Sequence, residues 1–148
     1  MTPSFSDQEY RRLMMLAYLG EWMLNAIRKD PDPAYEDTLS KVFSFAKETS
    51  LESLVLFNET TGAWDPQEAF EEEAHTMIDQ YDDKTFWEEL TARLTERDMN
   101  LAHGERAVRS MRPEQRTRAA SPIAKAYTQE FEEQGLDRLR VAEPHRKR

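Results

Sequence analysis

LMMLAYLGEWMLNAI, residues 13 to 27, is the stretch on which the fold turns. Twelve of its fifteen residues are apolar or aromatic, so as an α-helix it is hydrophobic around most of its circumference and asks for neighbours on several sides. A membrane-spanning helix needs about 20 predominantly apolar residues. This run is shorter, is interrupted by Glu21 and Asn25, and is flanked by Arg11, Arg12, Arg28 and Lys29. It reads as the central helix of a bundle in water, with no membrane contact.

Local signals bound that helix on both sides. Ser6 and Glu9 have the S-x-x-E spacing of a capping box, which satisfies two N-terminal backbone donors reciprocally. After Arg28 and Lys29 the segment DPDP, residues 30 to 33, cannot continue a helix. It supplies Asp32 as N-cap and Pro33 as first helical residue of a second helix reaching about Glu48, with Leu39, Val42, Phe43 and Ala46 at helical spacing. Residues 51 to 66 are mixed: residues 54 to 57 suit a short helix end or a short strand, and residues 58 to 62 suit a turn. Asp65, Pro66 and Glu68 then open a third helix whose apolar stripe is Phe70, Ala74, Met77, Ile78 and Tyr81.

A break is expected at Asp82 and Asp83, because Thr85 and Glu88 repeat the capping-box spacing ahead of a stripe of Phe86, Trp87, Leu90, Leu94 and Leu101. Pro113 and Pro122 predict a short helix from 113 to about 120 and a last one from 122 to Gln134, closed by Gly135. The expected fold is therefore all-α: a single domain over residues 1 to 141, five or six helices around the N-terminal one. It has room for one short β element near 54 to 57 or 139 to 141, and residues 142 to 148 form a mobile basic tail.

The 148 residues fit one domain, and the absence of Cys excludes a disulfide framework, a thiolate nucleophile and a Cys-based zinc site. The N-terminus lacks a signal-peptide plan, which makes the cytoplasm the default compartment. Net charge is -9, unevenly spread: residues 65 to 89 hold ten acids against Lys84 alone, whereas residues 93 to 148 hold nine acids and thirteen bases. An acidic block repels phosphates, so it disfavours nucleic acid there and favours a basic protein surface or a cation.

Glu72 and His75 make an E-x-x-H pair, half of a carboxylate-bridged di-metal signature. A second such pair is missing and Glu72 faces away from the apolar stripe, so neither a metal nor another cofactor is expected. His75, His103 and His145 lie in three separate regions, with no Gly-rich nucleophile elbow, P-loop or dinucleotide fingerprint, and no catalytic residue can be named. Glu21 belongs to a narrow polar line on the first helix with Tyr18 and Asn25, while Arg97 falls near the apolar stripe of its own helix. Tyr18, Glu21, Asn25 and Arg97 are thus read together as a semi-buried ion pair fixing helix register, or as a ligand pocket. Arg106, Arg109, Arg112 and Arg116 recur every three or four residues, and pairing with the acidic block is preferred over phosphate binding for want of interleaved aromatics.

Glu68, Glu72, Asp79, Asp82 and Asp83 form the partner-binding candidate, an outward acidic helix face suited to a basic protein. Simple solvation is the bland reading of such a face. Two alternatives stand beside docking: an acidic inhibitor that mimics DNA against a nucleic-acid-binding complex, and an enzyme or ligand-binding bundle using the Tyr18 group. Seven Met and fifteen aromatic residues would also supply a homodimer interface. The runs FNETTGAWDP (57 to 66) and YDDKTFWEELTARLTERDM (81 to 99) resemble segments of small helical bacterial proteins that carry no assigned function. That resemblance implies a bacterial or phage cytoplasmic protein and transfers no catalytic residue. The expectation for function is a non-enzymatic interaction or regulatory module.

Overall fold

A computed structural model describes residues 4 to 140. These residues are mostly helical, with five α-helices and one two-stranded sheet among them. Helix α1 spans Asp7–Asn25 and begins with the expected capping box: the Ser6 hydroxyl accepts from the Glu9 N–H, and the Glu9 carboxylate accepts from the Ser6 N–H at 2.9 Å. Helix α2 spans Pro33–Ser44, with the Asp32 carboxylate accepting the Ala34 N–H at 3.1 Å.

The turn joining them is held by Asn25, which is buried although polar. Its carbonyl oxygen accepts the Asp32 N–H at 3.0 Å and its amide donates to Glu21 Oε1 at 2.7 Å. The side chain thereby satisfies backbone that the prolines leave without helical partners, and it fixes where α2 starts.

After two short 3-10 segments, Phe45–Glu48 and Glu52–Leu54, strands β1 (Val55–Asn58) and β2 (Ala63–Pro66) form an antiparallel hairpin with Val55 opposite Pro66 and Phe57 opposite Trp64. The strand alternative at 54 to 57 is the one realised. Leu139 and Arg140 are not in a strand, and residue 141 and the tail at 142 to 148 lie outside the described residues. Gly62 takes φ +71° in the turn, a conformation that favours glycine, and the Ser40 hydroxyl accepts the Trp64 N–H at 2.8 Å, fastening the hairpin to α2. Asp65, expected as an N-cap, lies in β2 instead and accepts from the Asn58 amide at 3.0 Å.

Helix α3, Glu68–His103, is continuous for 36 residues and passes through Asp82 and Asp83 without the expected break. Asp costs only a few tenths of a kcal/mol in a helix interior. The i,i+4 contacts Asp83–Trp87, Lys84–Glu88 and Glu89–Arg93 oppose that cost. The helix ends where Gly104 adopts φ +82°. Helix α4 spans Glu105–Ser110, and α5 spans Pro113–Gln134 with Pro122 inside it. Pro122 therefore removes one hydrogen bond, to the Arg118 carbonyl, without dividing the helix.

The chain clusters into two compact units, Met1–Tyr81 and Asp82–Arg148, and α3 has residues in both. The core of the first unit joins Tyr10, Met14, Met15 and Tyr18 of α1 to Phe43, Ala46, Val55, Phe70 and Ala74. In the second unit Met99, Val108 and Phe131 are buried, and Trp87 packs on Phe131 with ring centroids 5.5 Å apart.

The first helix is not enclosed on several sides. The side carrying Tyr10, Met14, Met15, Tyr18 and Asn25 is buried, with Leu13 and Leu19 partly so, while Leu16 is 68%, Met23 59% and Ile27 91% exposed. The core-facing line takes every neighbour available, so the surplus apolar residues face outward.

Replacing Asn25 by Ala leaves the Asp32 N–H of the turn without its partner, and the expected loss is about 1–3 kcal/mol of folding stability. A shift in the denaturant midpoint no larger than that of the exposed control Lys29→Ala would remove Asn25 from this role.

Candidate functional site

The acidic block takes its orientation from Phe70. That ring is fully buried against Tyr18 (centroids 6.2 Å apart) and Phe43 (5.8 Å), both edge to face. With Phe70, Ala74 and Ile78 inward, the 100° turn per residue carries positions 68, 72 and 79 to the opposite side. Glu68, Glu72 and Asp79 are exposed, and among the described residues none forms an ion pair. Their neighbours in sequence are used internally: Glu73 pairs with Arg11, and Glu71 lies 3.8 Å from His75.

Asp82 and Asp83 belong to the second unit and are exposed there. Asp83 accepts the Trp87 indole N–H at 3.1 Å. It borders an open cleft of about 600 Å³ between α3 and α5 whose floor includes Trp87 and Phe131 and whose edge carries Glu88 and Glu132. The sequence reading missed this cleft, because Phe131 lies more than forty residues from Trp87; the aromatic at each position was the available signal.

Tyr18 is where polar chemistry meets the first core. Its ring is buried and its hydroxyl donates to Glu71 Oε1 at 3.2 Å, with His75 Nε2 at 3.4 Å. Burial pushes the phenol up to about 12, and the nearby Glu71 and Glu21 carboxylates add to the shift. At neutral pH the group is a fixed donor and supplies no base. His75 faces Tyr18 and Glu71, so the spacing that pairs it with Glu72 is not the contact it makes. Among the described residues no group of three or more acidic or imidazole side chains converges as a metal site does.

Glu21 and Arg97, read together in the sequence, each have hydrogen-bond partners within their own unit. Glu21 accepts from Asn25 within the first unit. Arg97, expected to be semi-buried, is exposed and belongs to the second unit, where it donates to Asp98 at 2.8 Å and to the Tyr127 hydroxyl at 2.9 Å. Tyr127 in turn donates to Asp98 at 2.5 Å, and these hydrogen bonds hold the Asp98 carboxyl below its usual range. A carboxylate adjacent in sequence and a phenol from α5 meet the needs of the guanidinium. The hydrogen bonds of Tyr18, Glu21 and Asn25 thus lie within the first unit, and those of Arg97 within the second.

Among the four recurring arginines, Arg109 pairs with Glu105 and Arg116 with Glu96 at 3.2 Å, both carboxylates outside residues 65 to 89. Arg112 instead opens α5, its N–H donating to the Gln115 side chain at 3.1 Å. No helix among the described residues is long and apolar enough to cross a membrane. In comparisons with known proteins the chain matches no family, no curated protein and no solved structure.

Tyr18 gives a pH dependence of definite sign. Its folded pKa is raised above the ordinary value of 10, so the stability it contributes is intact below pH 10 and is lost as pH rises from about 10 to about 12. Tyr18→Phe should flatten this alkaline fall in the denaturant midpoint and remove the last phenolate to appear in an ultraviolet titration. An unchanged alkaline profile would exclude Tyr18 as its source.

Proposed function

We propose that this protein is a non-enzymatic interaction module, a helical bundle that presents an acidic helix face to a basic protein partner. The observation that carries the reading is the contrast along α3. Glu71 and Glu73 are committed to internal partners, whereas Glu68, Glu72 and Asp79 point outward with no cation of the described chain against them. Carboxylates so placed steer a basic surface at long range and cost little to desolvate at the rim of an interface.

Independently, the cleft of the second unit supports the same partner chemistry. Trp87 and Phe131 offer an apolar floor beside Asp83, Glu88 and Glu132, which suits the stem and charged head of a lysine or arginine side chain. Asn25 is engaged in the α1–α2 turn, and Arg97 with Asp98 and Tyr127, so the interaction reading rests on the unpaired carboxylates instead.

The test is capture from the native host at low salt, read by mass spectrometry, with wild-type protein beside the charge reversal Glu68→Lys, Glu72→Lys, Asp79→Lys. A basic protein held by the wild type, weakened roughly tenfold or more by the reversal and released as ionic strength rises is the expected outcome. The three sites are exposed, so helicity by circular dichroism should not change. Partners held equally by both proteins at all salt concentrations would overturn the reading.

A further inference from the structure

The cleft of the second unit arises from unequal side chains on two facing helix lines. On α3, Trp87 is followed by Thr91 and Ala92, and on α5, Phe131 is preceded by Ala124 and Thr128. The two rings meet with centroids 5.5 Å apart, whereas the short side chains do not fill the space beside them, and about 600 Å³ stays open.

The aromatic floor is fixed by its own packing. Phe131 is buried, with Tyr127 stacked on it (centroids 5.8 Å apart) and Trp87 tilted against it, and Phe86 meets Trp87 edge to face at 5.0 Å. The indole N–H of Trp87 is already given to Asp83. What Trp87 offers a guest is therefore ring surface with no donor left over, and ring surface suits an apolar or a cationic group.

The charge of the rim is a separate observation, and it selects between those two. Asp83, Glu88 and Glu132 border the cleft against Lys84 alone. Lys84 lies 3.7 Å from Glu88, and among the described residues neither Asp83 nor Glu132 forms an ion pair. One uncompensated carboxylate from each helix is thus left at an aromatic cleft.

We propose that this cleft anchors an arginine side chain of the basic partner, with the guanidinium stacked on Trp87 and its N–H donors turned to Asp83 and Glu132. Arginine is favoured over lysine for a physical reason. A guanidinium is planar and weakly hydrated, and it stacks on an aromatic face while it forks to carboxylates; an ammonium is strongly hydrated and loses more on leaving water for such a floor. The inference rests on the reading of the protein as docking a basic partner. It adds a residue type and a place, in the second unit, that Glu68, Glu72 and Asp79 of the first do not contain.

The test needs no partner protein. N-acetyl-L-arginine amide is titrated into the isotope-labelled full chain and followed by nuclear magnetic resonance at the indole N–H of Trp87, identified among the three tryptophans by Trp87→Phe. The lysine and citrulline analogues are run in parallel. Saturable binding of the arginine compound is expected, about threefold or more tighter than the lysine compound, with none for neutral citrulline. Glu132→Gln, at an exposed site, should weaken it about threefold or more with unchanged helicity, and Trp87→Leu should abolish it. The reversal at Glu68, Glu72 and Asp79 should leave it unchanged, so loss of partner capture and loss of the cleft are read separately. No saturable shift, equal binding of the lysine or citrulline compound, or indifference to Glu132→Gln would each overturn the proposal; a basic partner still released by the charge reversal would then leave the docking reading standing.

Discussion

Everything in the first unit depends on how Phe70 enters between Tyr18 and Phe43. Two edge-to-face contacts hold the ring, each worth about 0.5–1.5 kcal/mol beyond the area buried. Its greater importance is geometric. Once Phe70 is inserted, the rotation of α3 about its own axis is set, and with it the destination of every carboxylate between Glu68 and Asp79. Glu71 arrives at Tyr18, Glu73 at Arg11, and Glu68, Glu72 and Asp79 are left in water. The acidic face is thus a consequence of core packing as much as of composition.

The same constraint accounts for the polar group at Tyr18. A phenol inserted body-first beside Phe70 must satisfy its hydroxyl at the edge of the core, and α3 brings Glu71 and His75 to that point one turn apart. The outcome is a hydrogen-bonded clamp between α1 and α3. It turns His75 toward Tyr18 and Glu71 rather than leaving it on the outward side with Glu72. Asn25 performs the corresponding task at the other end of α1, where two prolines within three residues would otherwise strand backbone donors.

How much of this the sequence disclosed follows from the range of each determinant. The Ser6–Glu9 box and the Asp32–Pro33 start lie within a few residues of the groups they satisfy, and both were legible. So was the outward placement of Glu68, Glu72 and Asp79, since it needs only the helical period. The continuity of α3 through Asp82 and Asp83 was not. There a plausible N-terminal signal competes with helix propagation, and the outcome turns on small i,i+4 terms such as Asp83–Trp87. Arg97 was misread for a different reason. Its position on the helix wheel looked interior, but its phenolic partner, Tyr127, comes from thirty residues away and leaves the guanidinium in water. The exposure of Leu16, Met23 and Ile27 was also hidden, because a count of apolar residues says how much a helix can bury and never how many neighbours exist.

Two unsatisfied surfaces of opposite chemistry therefore occur in one chain. At a net charge of -9, two copies repel at long range, and added ions screen that repulsion. An acidic face meeting a basic partner loses under the same screening. A net negative charge opposes close approach by other copies of the chain. That opposition disfavours indiscriminate aggregation through the exposed apolar residues.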